Sequence, residues 1–192
     1  MKTSRKLATV ILAAALPGIA SAHTGLGAIG GLASGFSHPL FGADHLLAML
    51  AVGVWARQQG GGAVWVIPAA FIGAMLLGGA LALEGIGLPF VERGIGVSVV
   101  LLGLLVATAL RLPTVVGAAL VGLFAILHGH AHGSEMPLAA SAFTYAAGFV
   151  VATALLHGLG VALADLARRG PVQVIRAAGA GVALSGALLA FA

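Results

Sequence analysis

Long apolar runs separated by short polar or Gly/Pro breaks make up most of the chain, and they predict helices. Six such runs lie at roughly 38–57, 62–83, 91–111, 113–132, 138–167 and 171–191. Each approaches the ~20 residues that a helix needs to cross a bilayer. The breaks carry matching punctuation: Gly60-Gly61-Gly62, Pro89, Pro113, Pro137 and Gly170-Pro171. A shorter apolar run, Leu7–Leu16, follows the basic stretch Met1–Lys6 and ends at Pro17-Gly18, before Ala20-Ser21-Ala22. That is the order of a cleavable signal peptide, and the run is too short to span. The expectation is an all-α membrane protein with a signal peptide over 1–22 and one polytopic transmembrane domain over 23–192. Six transmembrane helices after a cleaved signal put both the N- and C-termini in the periplasm, with the protein in the bacterial inner (cytoplasmic) membrane.

Composition supports a lipid-solvated chain. Hydrophobic residues make up 60% and charged residues 7%, against about 25% charged in a soluble domain. The mean hydropathy is +1.14. Thirty glycines suit helices that approach closely, as does the small-residue spacing Ala177, Gly181, Ser185. Such faces also leave a homo-oligomer open. The basic sequence pI of about 10.8 comes largely from the leader, since Lys2, Arg5 and Lys6 are three of the nine basic residues. Without them, six basic residues face five acidic ones. There is no basic stripe with interleaved aromatics, so nucleic acid is excluded as a partner. Cysteine is absent, so any metal site is built from nitrogen and oxygen.

Charge placement gives the orientation independently. The loops expected in the cytoplasm hold Arg57, Arg111, Arg168 and Arg169, with Asp165 and Arg176 at flanking helix ends. The opposite loops hold only Arg93, beside Glu84, Glu92 and Glu135. That is the positive-inside asymmetry.

Ionisable groups inside membrane segments are costly and mark function by default. Five histidines fall in two clusters, His38-Pro-Leu-Phe-Gly-Ala-Asp44-His45 and His128-Gly-His130-Ala-His132-Gly-Ser-Glu135. On an unbroken helix His38 and His45 would share a face but sit about 10 Å apart, with Asp44 turned about 100° from His45. Metal ligands lie ~2.0–2.2 Å from their ion, so one straight helix cannot gather all three. Pro39 and Gly42 suit an interruption that folds His38 back. His128 and His132, at i and i+4, share one face about 6 Å apart in rise, and His130 points away. Gly133 is placed to end the helix and turn Glu135 inward. Asp44, His45, His132, Glu135 and Glu92 all fall at periplasmic helix ends, as an outward-facing capture site for a divalent transition metal requires. Cleavage after Ala22 would free the amine of His23, which chelates with its own imidazole once deprotonated. His157 reads as a helix–helix hydrogen bond and Glu84 as a solvated charge.

The two clusters resemble the signature motifs of the HupE/UreJ family. That family shows His, five residues, then Asp-His, matched by His38 and Asp44-His45. It also shows Phe-His-Gly-x-Ala/Val-His-Gly-x-Glu, matched by Leu127 through Glu135 with Leu127 in place of Phe. Val91–Ser98 resembles its third helix, with Glu92 at the acidic position. His130 falls at the variable position. The resemblance implies uptake of nickel, or in some members cobalt, to supply hydrogenase or urease. The expected activity is a secondary transporter, not an enzyme, importing Ni²⁺ or Co²⁺ from periplasm to cytoplasm. The ligands are His38, Asp44, His45, His128, His132 and Glu135, with Glu92 and His23 assisting. No prosthetic group is expected, and Zn²⁺ suits the same donors. Intrinsic affinity favours copper over nickel, so geometry and supply must select. The chain has no Walker-type phosphate loop. Two other readings stay open: an intramembrane zinc hydrolase, and a metal sensor or store without transport.

Overall fold

A computed structural model describes residues 31–137 and 140–191. Among them are seven helices and no strand: α1 (Gly31–Phe41), α2 (Ala43–Gln59), α3 (Ala63–Leu83), α4 (Val91–Thr108), α5 (Thr114–Ser134), α6 (Ala142–Ala167) and α7 (Val172–Phe191). Five are long and apolar enough to cross a membrane, and α1 with α2 makes a sixth if the pair, bent by 82°, is one broken span. This is a multi-pass, all-helical membrane protein. The expected signal segment, its cleavage site and His23 lie outside the described residues.

Large apolar side chains cover the outside. Trp65 is 79% exposed, Val115 80% and Phe143 82%, an arrangement that lipid tolerates and water does not. The core is correspondingly small, centred on Met49, Val52, Trp55, Ile67, Phe71, Val99, Leu102 and Val121. Lipid is as apolar as leucine, so helix association here depends on close packing. α3 lies along α5, α4 along α7, and both α1 and α2 along α6. Glycines set the closest crossings. A Cβ on Gly129 would collide with the Met75 carbonyl, and one on Gly78 with the Ile126 carbonyl, so α3 and α5 touch backbone to backbone. Gly53 of α2 meets the His157 carbonyl of α6 in the same way.

The break between α1 and α2 differs from the expectation in one respect. Pro39 sits inside α1 and is buried; the interruption falls on Gly42 alone, at φ −84°, ψ 114°. Any residue adopts those angles. Glycine suits the tight space there, since a Cβ would sit 3.1 Å from Asp44 Oδ1 and 3.2 Å from His45 Nδ1 and those side chains would have to give way. Gly133 also departs from its expected role. It stays helical, and a Cβ there would press within 2.7 Å of the Gly79 carbonyl oxygen, so it belongs to the α3–α5 crossing.

The two ends of the bundle differ. One end collects α1, the start of α2 and the end of α5. At the other, Trp55 Nε1 and Gln59 Nε2 donate to the Leu110 carbonyl at 3.0 and 2.7 Å. There too Gln58 Nε2 donates to Val106 O at 3.1 Å and Leu112 N to Gln59 Oε1 at 3.0 Å. Arg57 pairs with Asp165 at 2.7 Å.

Candidate metal centre

Three chain segments meet at the first end. The bend at Gly42 swings α1 across the bundle, so His38 arrives from the side while His45 stands in the first turn of α2. α5 brings His128 and His132 up from below, and Glu135 follows its last residue. The His38 and His132 rings lie 4.7 Å apart, His132 and His45 4.0 Å, and His45 and His128 5.0 Å. His38, His132 and Glu135 each offer a ligand atom within 4.8 Å of the others. His132 is therefore common to an outer group with His38 and Glu135 and an inner group with His45 and His128.

Hydrogen bonds set which nitrogens face the site. A carbonyl only accepts, so His128 Nδ1–H donates to Phe124 O at 3.0 Å and leaves Nε2 with its lone pair. A carboxylate likewise accepts, so His45 Nδ1–H donates to Asp44 Oδ1 at 2.7 Å. The Asp44 oxygen also takes the His45 backbone N–H at 2.8 Å. The α-helical direction expected for Asp44 points it away from His45; at the helix start its carboxylate is free to curl back. Asp44 thus holds the His45 ring as the carboxylate partner of a metal-binding histidine does. His45 Nε2, His128 Nε2 and both nitrogens of His132 are buried with no hydrogen-bond partner among the described residues. Leaving such atoms unpaired costs about 1–3 kcal/mol each, which a metal ion would offset.

Nearer the surface, His38 Nε2–H donates to Glu135 Oε2 at 3.1 Å. That bond holds the Glu135 carboxyl below its ordinary value, so the carboxylate stays charged across the neutral range.

A profile of the family described as HupE / UreJ protein matches residues 10–189. This chain belongs to the HupE/UreJ family. Within that similarity, Protein HupE of Rhizobium leguminosarum bv. viciae is 52% identical over 185 residues, which is 96% of this chain and 96% of that protein. No solved structure matches.

Not every expected site residue of this HupE/UreJ chain joins the cluster. Glu92 lies exposed in the first turn of α4, with no hydrogen bond or ion pair to the histidines among the described residues. His130 does point away, and its Nε2–H donates to Ile86 O at 2.8 Å, tying α5 to the α3–α4 loop. Glu84 is exposed near that loop. Residues that the sequence reading missed form the walls. Phe149 packs 4.0 Å from His132 and Phe71 5.7 Å from His128. Tyr145 lies 6.1 Å from His38, its hydroxyl buried and without a partner among the described residues. A signal for two of them exists, since Tyr145 and Phe149 share a four-residue spacing with Thr153 and His157, one face of α6.

Proposed function

We propose that this protein is a secondary transporter that imports Ni²⁺, or Co²⁺, from the periplasm into the cytoplasm. The supporting observation is the convergence of buried, lone-pair-bearing imidazoles from α2 and α5 at the broken span. His38, Asp44, His45, His128, His132 and Glu135 capture the ion, Asp44 by holding His45. Glu92 and His23 assist at the entrance. The likeness to HupE/UreJ proteins supports nickel or cobalt as cargo and hydrogenase or urease as its destination. The arginine-rich loops at the opposite end support a cytoplasmic exit in the inner membrane, and hence periplasmic termini on either side of a single domain following a cleaved signal peptide.

The test is uptake by the purified full chain in proteoliposomes. Saturable Ni²⁺ flux, competed by Co²⁺, is the expected outcome; tight binding with no flux would instead identify a sensor or store. A hydrolase has one observation in its favour, an apolar cavity of about 210 Å³ beside His132, lined by Met75, Leu76, Met136 and Phe149. Ion flux without any esterase or peptidase activity on apolar substrates disposes of it.

Equilibrium Ni²⁺ affinity should fall as the pH is lowered from 8 to 5, because protons compete with the ion for the imidazole nitrogens and only neutral imidazole binds metal. Glu135 does not produce this slope. Its pKa is depressed, so its contribution holds above the ordinary glutamate value and is lost only in stronger acid. Isothermal titration between pH 5 and 8 checks this, and a flat affinity over that range would count against it.

A further inference from the structure

His157 is a second, deeper feature that the capture cluster does not use. It lies in α6 with 2% of its surface exposed. The sequence reading makes it a helix–helix hydrogen bond, yet both ring nitrogens lack any partner among the described residues. A buried imidazole with neither nitrogen paired calls for an explanation, most of all within a membrane.

Its surroundings supply one. Phe71 packs edge-on to His157 at 5.1 Å and lies 5.7 Å from His128. One phenyl ring therefore separates the capture cluster from His157. From His38 through His132, His45, His128 and Phe71 to His157, each ring lies within 6 Å of the next. Eight residues of α6 separate Phe149, beside His132, from His157, so the file runs about 12 Å further into the bundle. Two more donors lie between the capture cluster and that depth. Thr153, one turn from His157, is fully buried and its Oγ1 lies 3.8 Å from Met75 Sδ. Met75 stands one turn from Phe71 on α3. Facing turns of α3 and α6 thus present a phenyl ring, a thioether, a hydroxyl and an imidazole.

We propose that His157 is a further metal-binding residue, an inner station that takes a divalent late transition-metal ion past Phe71, with Thr153 and Met75 as weaker donors on the way in from the capture cluster. Imidazole and thioether suit such ions and not Mg²⁺ or Ca²⁺. The donors are uncharged, so they bind less tightly than the cluster containing Asp44 and Glu135, and an ion moving inward is released rather than trapped. This station rests on the uptake reading above.

The experiment measures Ni²⁺ flux in proteoliposomes for the full chain carrying His157→Leu or His157→Met, side chains of matched volume that differ in the sulfur donor. Equilibrium Ni²⁺ binding is measured on the same preparations. For His157→Leu, flux is expected to drop by about tenfold or more, while affinity at the capture cluster stays within about twofold, since the entrance histidines are untouched. His157→Met should recover part of the flux. Equal flux in the Leu and Met variants, or wild-type flux in the Leu variant, overturns the station and makes His157 a packing residue. If the Leu variant does not insert, His157→Ala with added imidazole replaces it, and absence of rescue counts against the proposal. Wild-type protein without any flux overturns the uptake reading itself, an outcome distinct from a transporting wild type with a tolerant position 157.

Discussion

His132→Ala is expected to abolish the proposed metal uptake and to lower equilibrium Ni²⁺ affinity beyond the ~10–100-fold that loss of an orienting partner costs. The reason is position. The His132 ring lies 4.7 Å from His38 and 4.0 Å from His45, so both the outer and the inner group lose a ligand together. His38→Ala leaves the inner group of His132, His45 and His128, and His45→Ala leaves His38, His132 and Glu135; each should keep measurable binding. Asp44→Ala removes the acceptor of the 2.7 Å bond from His45 Nδ1–H, frees that ring to turn, and is expected to fall between these cases. Equilibrium dialysis with Ni²⁺ on purified, monodisperse protein ranks the four variants. A well-folded His132→Ala protein with wild-type affinity would show that the ion binds elsewhere.

Gly129→Val unfolds the bundle around the motif that carries His128 and His130. Even a Cβ at Gly129 would collide with the Met75 carbonyl of α3, and a carbonyl in a helix has no rotamer to adopt. Overpacking a core costs about 1–3 kcal/mol, and here α3 and α5 have to separate along their most extensive contact. The expected result is a large fall in melting temperature in detergent and loss of Ni²⁺ binding, since His128 and His132 move with α5. Gly73→Ala is the control, because nothing lies within 4 Å of the added carbon, and its melting temperature should match wild type. A Gly129→Val protein as stable as Gly73→Ala would mean that the helices are less tightly seated than described.

The spans were legible in the sequence because membrane helices must satisfy their own backbones, which makes apolar run length nearly sufficient. Five of the six expected runs agree with the helices to within about four residues. The first expected run, 38–57, corresponds to most of the bent pair, but the chain is already helical at Gly31, the first described residue. There the local signal was half right: Pro39, a reasonable breaker by its missing N–H, stays inside α1, and the bend falls at Gly42, the other residue expected to interrupt the helix. The clustering of histidines was equally legible, because charge and imidazole are rare in such a chain. What the sequence could not supply was the partner of each group. That Asp44 turns to its neighbour, and that His38 reaches Glu135 at 97 residues' separation, depend on the angle between α1 and α2. His157 looked like a solitary polar residue until Phe71, from a helix far away in sequence, was seen against both it and His128.

The end of the bundle away from the histidines gives the protein a sidedness in time as well as space. Trp55, Gln58 and Gln59 commit four hydrogen bonds to the segment 106–112, and Arg57 is paired with Asp165. At about 1 kcal/mol per hydrogen bond, these contacts hold that end of the bundle closed in the conformation described here, and on the uptake reading proposed above it is the exit end. Alternating access then needs this latch to open while the capture end closes, and an ion alone cannot lower the barrier unless it binds the opened state more tightly. On that reading, the segments that must part during turnover are the ends of α2 and α4, remote from any ligand.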